Sequence, residues 1–224
     1  MVQKDRCTKT KCKLIADNTK IVKYKRIFDV LFSLLIIVVL SPLFLIIALV
    51  IKVISPDGPV FFRHKRIGLR GKEFNCYKFR TMLPNAEDAL NKMFSKNESL
   101  KKEFEKDFKL KKDPRIIPFV GNFLRKTSLD ELPQFINTLK GDMSIVGPRP
   151  IVRSEKEKYG RNIFKFLSVK PGITGLWQVS GRNNLSYEQR VNLDVQYVDK
   201  HNWLMDLKII FKTFVVVLTK DGSY

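Results

Sequence analysis

Two adjacent carboxylates, Asp130 and Glu131, are the residues of this chain whose type and placement first suggest chemistry; residues 127–134 read TSLDELPQ. If a helix begins here, both side chains lie at its N-terminus, where the partial positive charge stabilises anions and nearby phosphate. A purely structural explanation is also open. Ser128 and Glu131 fit a capping box, whereas Asp130 as the N-cap residue places Pro133 in the first turn, where its missing N–H costs little. Either arrangement predicts that a helix starts at this point of the chain.

A proline-flanked arginine follows. Residues 147–150 read GPRP, so Pro148 and Pro150 hold Arg149 in an extended backbone with little entropy left to lose. A guanidinium held in this way presents a rigid fork that suits a diphosphate. An ordinary loop with an exposed arginine is the alternative.

A second loop brings glycine, tryptophan and arginine together, because residues 171–182 read PGITGLWQVSGR. Glycines such as Gly175 let backbone N–H groups approach a phosphate closely, and Arg182 adds a charge. Trp177 could stack on a ligand ring or pack in the core, and packing is the commoner role for tryptophan. Two more cations at the end of a predicted strand complete the candidate phosphate ligands: Lys78 and Arg80.

Composition narrows the class of partner. The 224 residues include 42 Lys and Arg against 22 Asp and Glu, a formal charge of +20, which implies that the partner is nucleic acid, anionic lipid headgroups or phosphorylated substrates.

Three cysteines form no disulfide pattern, so a reducing compartment is the simplest interpretation. His64 and His201 lie far apart in the sequence, and we interpret both as surface or satisfied residues. A zinc site is therefore not expected, and any metal would be held by carboxylates, which favours Mg²⁺, with Mn²⁺ as the alternative.

One hydrophobic run dominates the N-terminal part. Residues 30–51 carry no charge over 22 positions, the usual length of a membrane span. Ser41 and Pro42 divide the run into halves of about 16 Å each, near half the hydrocarbon thickness. Lysines and arginines flank both ends, whereas a spanning helix leaves one end poorer in them. A re-entrant helix–break–helix, with Ser41 bonding a carbonyl freed by Pro42, is thus favoured over a straight transmembrane helix.

Local patterns predict the remaining elements. They are a β-hairpin over 60–66 and 72–79, one or two amphipathic helices over 85–112, a helix over 128–139 ended by Gly141, loops over 147–150 and 171–175, a helix over 186–200 and an apolar helix over 203–218. The 85–112 helices suit a solvated surface, a mobile lid or a partner-binding element. The last helix, with three charges in 16 residues, suits either the membrane interface or a buried core.

Taken in order, these motifs strongly resemble the bacterial sugar transferase family, the monotopic polyprenyl-phosphate phosphoglycosyl transferases. The resemblance runs from about Tyr24 to the C-terminus. It is carried by YKRIFD at 24–29, SP at 41–42, GPVFF at 58–62, KFRTM at 78–82, SLDELPQ at 128–134, GPRP at 147–150 and the stretch 171–182.

The resemblance implies a two-step reaction. The family's aspartate nucleophile corresponds to Asp130; it attacks the β-phosphate of a UDP-sugar, releases UMP and holds the phospho-sugar until undecaprenyl phosphate takes it. The neighbouring glutamate corresponds to Glu131 and helps bind Mg²⁺. Because a carboxylate and a diphosphate repel each other, cations must neutralise the phosphoryl oxygens. The candidates for this substrate-binding role are Arg149, Arg182, Lys78, Arg80, Pro148 and Gly175.

The resemblance also implies an organisation and a location. The expected fold is α+β: a compact cytoplasmic domain of helices and strands with a re-entrant membrane segment and interfacial amphipathic helices. We expect a basic tail over 1–23, the membrane segment over 24–55, and the transferase domain over 56–224 with a charged insertion at 85–112 and an interfacial helix at 203–219. Both ends of the membrane segment should lie at the cytoplasmic face of the bacterial plasma membrane, among anionic lipids.

The transferred sugar remains open. The length of 85–112 and the motif GRNNLSY at 181–187 resemble larger members that transfer galactose-1-phosphate or glucose-1-phosphate; an N-acetylated hexose is the third option. Those members often carry extra N-terminal membrane helices, whereas here about 23 residues precede Tyr24, so a catalytic core alone is expected. The product would enter exopolysaccharide, capsule or O-antigen synthesis, and a homodimer is allowed. Two rival interpretations, a nucleic-acid-binding module and an inactive scaffold, explain the arginine loop and the carboxylate pair less well.

Overall fold

A computed structural model describes residues 23–95, 98, 100 and 113–219 of the chain. The predicted basic tail, most of the charged insertion after residue 95 and residues 220–224 lie outside the described residues. In chain order the elements are α1 (Lys23–Val39), α2 (Ser41–Ile54), β1 (Phe61–Ile67), β2 (Glu73–Phe79), α3 (Ala86–Phe94), α4 (Val120–Thr127), α5 (Gln134–Lys140), β3 (Ser144–Val146), α6 (Lys156–Tyr159), α7 (Ile163–Phe166), β4 (Gly172–Thr174), α8 (Tyr187–Lys200) and α9 (Trp203–Thr219). Helices with two small sheets fit the expected α+β class.

The hydrophobic run is bent at the predicted place. Helices α1 and α2 meet at 61° across Leu40, so a straight helix is ruled out. Pro42 lacks the N–H that would bond to the carbonyl of Val38, and Ser41 Oγ donates to that carbonyl at 2.8 Å, as expected. Within the described residues no single helix is long and apolar enough to cross a membrane, although the bent pair meets that test of length and composition.

Polar side chains of α1 attach it to the folded body. Arg26 donates from its two terminal nitrogens to the last carbonyls of α5, at 2.5 and 2.8 Å. Asp29, which is buried, accepts the backbone N–H of Ile145 in β3 at 3.0 Å. Lys25 pairs with the buried Asp206 of α9. The base of the bent helix pair is therefore fixed to three separate elements.

The predicted hairpin is confirmed. Strands β1 and β2 pair antiparallel over seven residues each, joined by a turn at Leu69–Gly71 in which Arg70 and Gly71 take positive φ. Phe79 packs with Ile51 of α2 in one core cluster, so the hairpin also abuts the bent helix pair. Apolar contacts thereby reinforce the polar attachment of the membrane segment.

Helix α5 is tied to the edge of the hairpin by one buried amide. Asn137 is fully buried; its Nδ2 donates to the Asn75 carbonyl at 2.7 Å and its Oδ1 accepts the Tyr77 N–H at 2.9 Å. Gly141 ends the helix with φ 89°, as predicted. Because α5 follows the carboxylate pair directly, this contact sets the distance between that pair and β2.

The second sheet corrects one loop prediction. Residues 171–175 were expected to form a loop, but Gly172–Thr174 is a short strand, β4, parallel to β3. Glycine permits this pairing: a Cβ at Gly147 would lie 2.5 Å from the carbonyl oxygen of Lys170, closer than atoms can approach. The two strands hold the loops at 147–150 and 171–182 side by side.

The C-terminal helices enclose this sheet. Helix α8 begins at the capping box that Ser186 forms with Gln189, close to the predicted start. In α9, Asp206 and Ile209 are buried while Leu204, Phe211 and Leu218 are largely exposed. A helix wholly buried in the core is therefore excluded for 203–219, since only one face of α9 is covered.

Candidate functional site

The carboxylate pair sits on a tight turn and not in the first turn of a long helix. Ser128 ends α4 in the left-handed conformation with φ 57°, and residues Leu129–Glu131 form one 3₁₀ turn before α5. Neither predicted cap forms, because Ser128 makes no side-chain cap and Pro133, instead of Asp130, occupies the N-cap position of α5. The predicted helix over 128–139 is thus a 3₁₀ turn followed by a seven-residue helix.

Lys78 links β2 to both acids. Its Nζ lies 2.5 Å from Glu131 Oε1 and 3.9 Å from Asp130 Oδ2. The side chain of Asp130 is only 12% exposed, and that of Glu131 is 31% exposed. One cation therefore faces both carboxylates at the end of the hairpin.

The surroundings shift the pKa values of the two carboxyls in opposite directions. Burial raises the pKa of Asp130 to about 6, with Lys78 acting against it and Glu131 adding to it. Burial acts in the same direction on Glu131, but Lys78, followed by Arg149, outweighs it and leaves the pKa of that carboxyl below its usual range. At neutral pH both groups are ionised, as a nucleophile and a cation ligand require.

A small cavity opens beside Glu131, and Asp130, its neighbour in the chain, is not among the residues that line it. Three cations reach it from different elements: Arg66 from β1, Lys78 from β2 and Arg149 from the loop after β3. The cationic cavity, as we call it, is lined by these three residues together with Cys76, Glu131, Gln134, Pro150, Ile173 and Gln178. Three positive charges around one carboxylate suit a ligand that carries several negative charges.

Arg149 owes its position to contacts behind it. Its guanidinium lies 5.8 Å from the ring of Trp177, which is 5% exposed and so belongs to the core. Arg190 covers the same ring at 5.1 Å. Burial raises the pKa of Asp194 to about 7, while a hydrogen bond from Tyr159 and the charge and backbone N–H of Arg149 act against the rise. The arginine loop therefore rests on α8.

Two predicted phosphate ligands lie elsewhere. Arg80 is buried and its guanidinium donates to Ser55 Oγ and to the carbonyls of Ser55, Pro59 and Met82, so it fastens β2 to the end of α2. The expectation that Arg80 binds substrate is not supported by this geometry. Arg182 lies beyond the lining residues, on the turn after Gln178, and its Nε donates to the Gln178 carbonyl at 3.4 Å.

The two loop residues Pro148 and Gly175 shape the sheet and do not line the cavity. The carbonyl of Pro148 accepts the N–H of Gly172 at 2.8 Å, and a Cβ at Gly175 would collide with the carbonyl of Gly147. Their contribution to the site is indirect, since they fix the strand ends from which Arg149 projects.

Arg66 is the cation that the sequence did not single out. Its Nη1 donates to the carbonyl of Pro150 at 3.2 Å and lies 3.5 Å from Glu155 Oε2, so it joins the hairpin to the arginine loop. Burial lowers its pKa, as does the nearby Arg149. In the sequence Arg66 looked like one more basic residue beside the hydrophobic run. Alternation along β1 was the available signal, since it places Arg66 and His64 on the same face.

Oxygen ligands for a divalent cation are present, though few. Within the described residues no cluster of three or more His, Cys, Asp or Glu side chains could hold a metal. Glu131 and the amide of Gln134 both face the cationic cavity and offer the oxygens that Mg²⁺ prefers. The residues therefore fit an ion that takes most of its ligands from substrate phosphates and water.

The sequence matches a family model and several known proteins. The family model described as bacterial sugar transferase matches residues 20–220. An undecaprenyl-phosphate galactose phosphotransferase of Salmonella typhimurium is 52% identical over 202 residues, 89% of this chain and 41% of that protein. Exopolysaccharide production protein ExoY of Sinorhizobium fredii is 48% identical over 200 residues, 89% of this chain and 88% of that protein.

A third relative is named for glucose, a different sugar from the galactose in the name of the Salmonella relative. A UDP-glucose:undecaprenyl-phosphate glucose-1-phosphate transferase of Escherichia coli is 41% identical over 208 residues, 89% of this chain and 41% of that protein. The chain thus spans about two-fifths of the length of the Salmonella and Escherichia relatives and most of ExoY.

Proposed function

Since this chain belongs to the bacterial sugar transferase family, we propose that it transfers a hexose-1-phosphate from a UDP-sugar to undecaprenyl phosphate and releases UMP. The names of two relatives support undecaprenyl phosphate as the acceptor, with galactose and glucose as their sugars, and the name of the Escherichia coli relative also supports a UDP-sugar as the donor. The product would be the first lipid-linked intermediate of a surface glycan, in keeping with the exopolysaccharide role in the name of ExoY.

The observation that carries the proposal is the pairing of an acidic dyad with a ring of cations. Lys78 contacts Glu131 and approaches Asp130, while Arg66 and Arg149 line the same cavity as Lys78 and Glu131. A diphosphate placed there would have its charge neutralised on two sides, which removes most of its repulsion toward a carboxylate nucleophile. A nucleic-acid surface would need no buried carboxylate pair.

In the proposed first step, Asp130 attacks the β-phosphorus of the donor. A bond forms between a carboxylate oxygen and phosphorus, the bond from that phosphorus to the bridging oxygen breaks, and UMP leaves with the electron pair. In the second step a phosphate oxygen of the lipid attacks the same phosphorus and releases the carboxylate. Arg149 and Arg66 hold the phosphoryl oxygens, and Lys78 keeps the dyad ionised.

Mg²⁺ is the proposed cofactor, with Mn²⁺ as a substitute. Glu131 would hold it, assisted by the Gln134 amide, with donor phosphates and water as the other ligands. When bound, the ion supplies Lewis-acid neutralisation of phosphate charge. Removal of divalent ions with a chelator should abolish UMP release, and Mg²⁺ should restore it.

The bent helix pair is proposed to enter and leave the membrane on the cytoplasmic face. Its outer surface is apolar, with Leu34, Val38, Leu45 and Leu49 each at least half exposed. These side chains would be buried in lipid, at about 25 cal/mol per Å² of apolar surface. The exposed face of α9 would lie in the interface nearby, next to anionic headgroups that suit the charge of +20.

A labelling experiment tests this topology. Lys23 is the first residue of the bent pair and Lys65 follows the pair in β1, and both side chains are exposed. Single Lys23→Cys and Lys65→Cys variants should react with a membrane-impermeant maleimide only after the cells are opened. Reaction of either variant on intact cells would show that the segment spans the membrane.

The activity itself is tested by offering purified protein a panel of UDP-sugars with undecaprenyl phosphate and Mg²⁺, and measuring UMP. With UDP-galactose or UDP-glucose we expect continuing UMP release in the presence of the lipid, and no more than one equivalent per protein without it. The matched control is Asp130→Asn, which keeps the side-chain volume and should release none. Equal release by both proteins would exclude Asp130 as the nucleophile, and none from the wild type with any sugar would exclude the proposed function.

A further inference from the structure

His64 lies on the strand face that lines the cationic cavity. In the hairpin it is directly opposite Cys76, and Phe62 is opposite Lys78; directly paired residues share one face of an antiparallel ladder. Cys76 and Lys78 both line the cavity, as does Arg66 two residues further along β1. His64 is half-buried on the same face as these residues, although it is not itself among those that line the cavity.

One hydrogen bond fixes the tautomer of the His64 ring. Arg66 Nη2 lies 3.2 Å from His64 Nδ1, and because a guanidinium can only donate, Nδ1 must be the acceptor. The ring proton is therefore on Nε2. Arg66 is held in turn by the Pro150 carbonyl and Glu155, so the orientation of the ring is set by a chain of contacts. Among the described residues none accepts the Nε2–H.

The ring is also kept neutral. Burial lowers the pKa of His64 to about 4, and the positive charges of Arg66, Lys78 and Arg149 add to this effect while Glu155 opposes it. His64 therefore offers a hydrogen-bond donor at neutral pH without adding a charge. A donor of this kind can discriminate between ligands by the position of an oxygen, whereas the neighbouring cations bind any phosphate.

We infer that His64 binds the nucleotide-sugar donor, with its Nε2–H donating to an oxygen of the sugar-diphosphate group. This inference rests on the proposed function, because it identifies the ligand of the cationic cavity as that donor. The acceptor is either a diphosphate oxygen or a hydroxyl of the adjacent sugar; both are within reach of a residue beside Arg66 and Lys78. His64 would then be a binding and specificity residue that takes no part in the bond changes.

Binding is measured in an Asp130→Asn background, where no turnover consumes the donor. UDP-galactose, UDP-glucose and UDP are titrated by calorimetry into this parent and into versions with His64→Ala or His64→Gln. Glutamine is the matched control, because it can accept from Arg66 and still donate from its amide. We expect His64→Ala to weaken UDP-sugar binding about tenfold, which is the effect of losing one hydrogen bond to a charged or well-placed acceptor. The affinity of the His64→Gln variant should stay within about threefold of the parent's.

The UDP arm locates the acceptor oxygen. Equal weakening for UDP and the UDP-sugar places it on the diphosphate, whereas weakening for the UDP-sugar alone places it on the sugar; both results support the inference. An unchanged affinity of the His64→Ala variant for the UDP-sugar would overturn the inference. An equal loss of affinity in the His64→Ala and His64→Gln variants would also overturn it, because it would show that the ring acts by packing against Phe62. If the Asp130→Asn parent binds no nucleotide sugar and the wild type releases no UMP, the proposed function is wrong as well. If the parent binds a UDP-sugar and the His64→Ala substitution leaves that affinity unchanged, only this inference is wrong.

Discussion

Replacement of Arg80 by methionine tests whether this arginine is structural, in contrast to the cations that line the cavity. The guanidinium donates at 2.6 Å to the Pro59 carbonyl and at 2.6 Å to the Ser55 carbonyl. It also donates, over longer distances, to Ser55 Oγ and to the Met82 carbonyl. Ser55 caps the end of α2, so these bonds connect the bent helix pair to β2. Methionine keeps most of the side-chain volume and removes every donor.

The expected loss follows from the two shortest bonds. A hydrogen bond from a charged group contributes about 1.5 kcal/mol or more, so the pair accounts for about 3 kcal/mol of the free energy of unfolding. The carbonyls that remain are partly shielded from water, which adds to the loss. For a chain of this size, about 3 kcal/mol corresponds to a fall in Tm of about 6–12 °C.

The assay compares Tm in detergent with donor kinetics for Arg80→Met and Lys78→Met; Lys78 lies near the end of β2 and Arg80 directly follows that strand. Arg80→Met should lower Tm by the amount above while the KM for the UDP-sugar stays within about twofold, because no lost contact reaches the ligand. Lys78→Met should lower kcat/KM at least a hundredfold, since the dyad loses its cation. An Arg80→Met protein with unchanged Tm and a strongly raised KM would restore the view that Arg80 binds substrate.

Two further substitutions test the supports of the arginine loop. Gly147→Ala should lower Tm by several degrees, because its Cβ would lie 2.5 Å from the Lys170 carbonyl oxygen and 2.8 Å from the Gly172 nitrogen; an unchanged Tm would contradict the close β3–β4 approach. Asp194→Asn tests a buried ionisation: the pKa of Asp194 rises from 3.8 in the unfolded chain to about 7 in the folded one, so its charge costs stability increasingly from pH 4 to pH 7. The Tm of the Asn variant minus that of the wild type should therefore grow between pH 5 and pH 8, and a pH-independent difference would refute the assignment.

Elements set by local chemistry were predictable from the sequence. Pro42 removes one helical hydrogen bond wherever it stands, so the bend between α1 and α2 follows from a single residue. Gly141 and the capping box at Ser186 likewise mark helix ends through contacts a few residues away. The hairpin followed from two runs rich in β-branched and aromatic residues on either side of a glycine-bounded turn. In each case the decisive atoms are neighbours in the chain.

The site depended on contacts that sequence patterns do not reveal. Arg80 and Lys78 look equivalent in the sequence, yet the side chain of Arg80 is turned toward α2 and that of Lys78 toward the dyad. Arg66 belongs to the site because it contacts the arginine loop at Pro150, which lies 84 residues later in the chain. The capping predictions for Ser128 failed because its backbone takes the left-handed conformation that ends α4. The sequence singled out Asp130 and Glu131 as adjacent acids before a proline, and their catalytic role stays a prediction.

The most direct test of the account is a search for the covalent intermediate. Wild-type protein is incubated with Mg²⁺ and a UDP-sugar labelled on its β-phosphate, without lipid acceptor, and is then digested and analysed by mass spectrometry. The account predicts one equivalent of UMP released and a hexose-phosphate mass on the peptide that carries Asp130, lost when undecaprenyl phosphate is added. Transfer to the lipid with no labelled peptide at any time, or with the label on another residue, would contradict it.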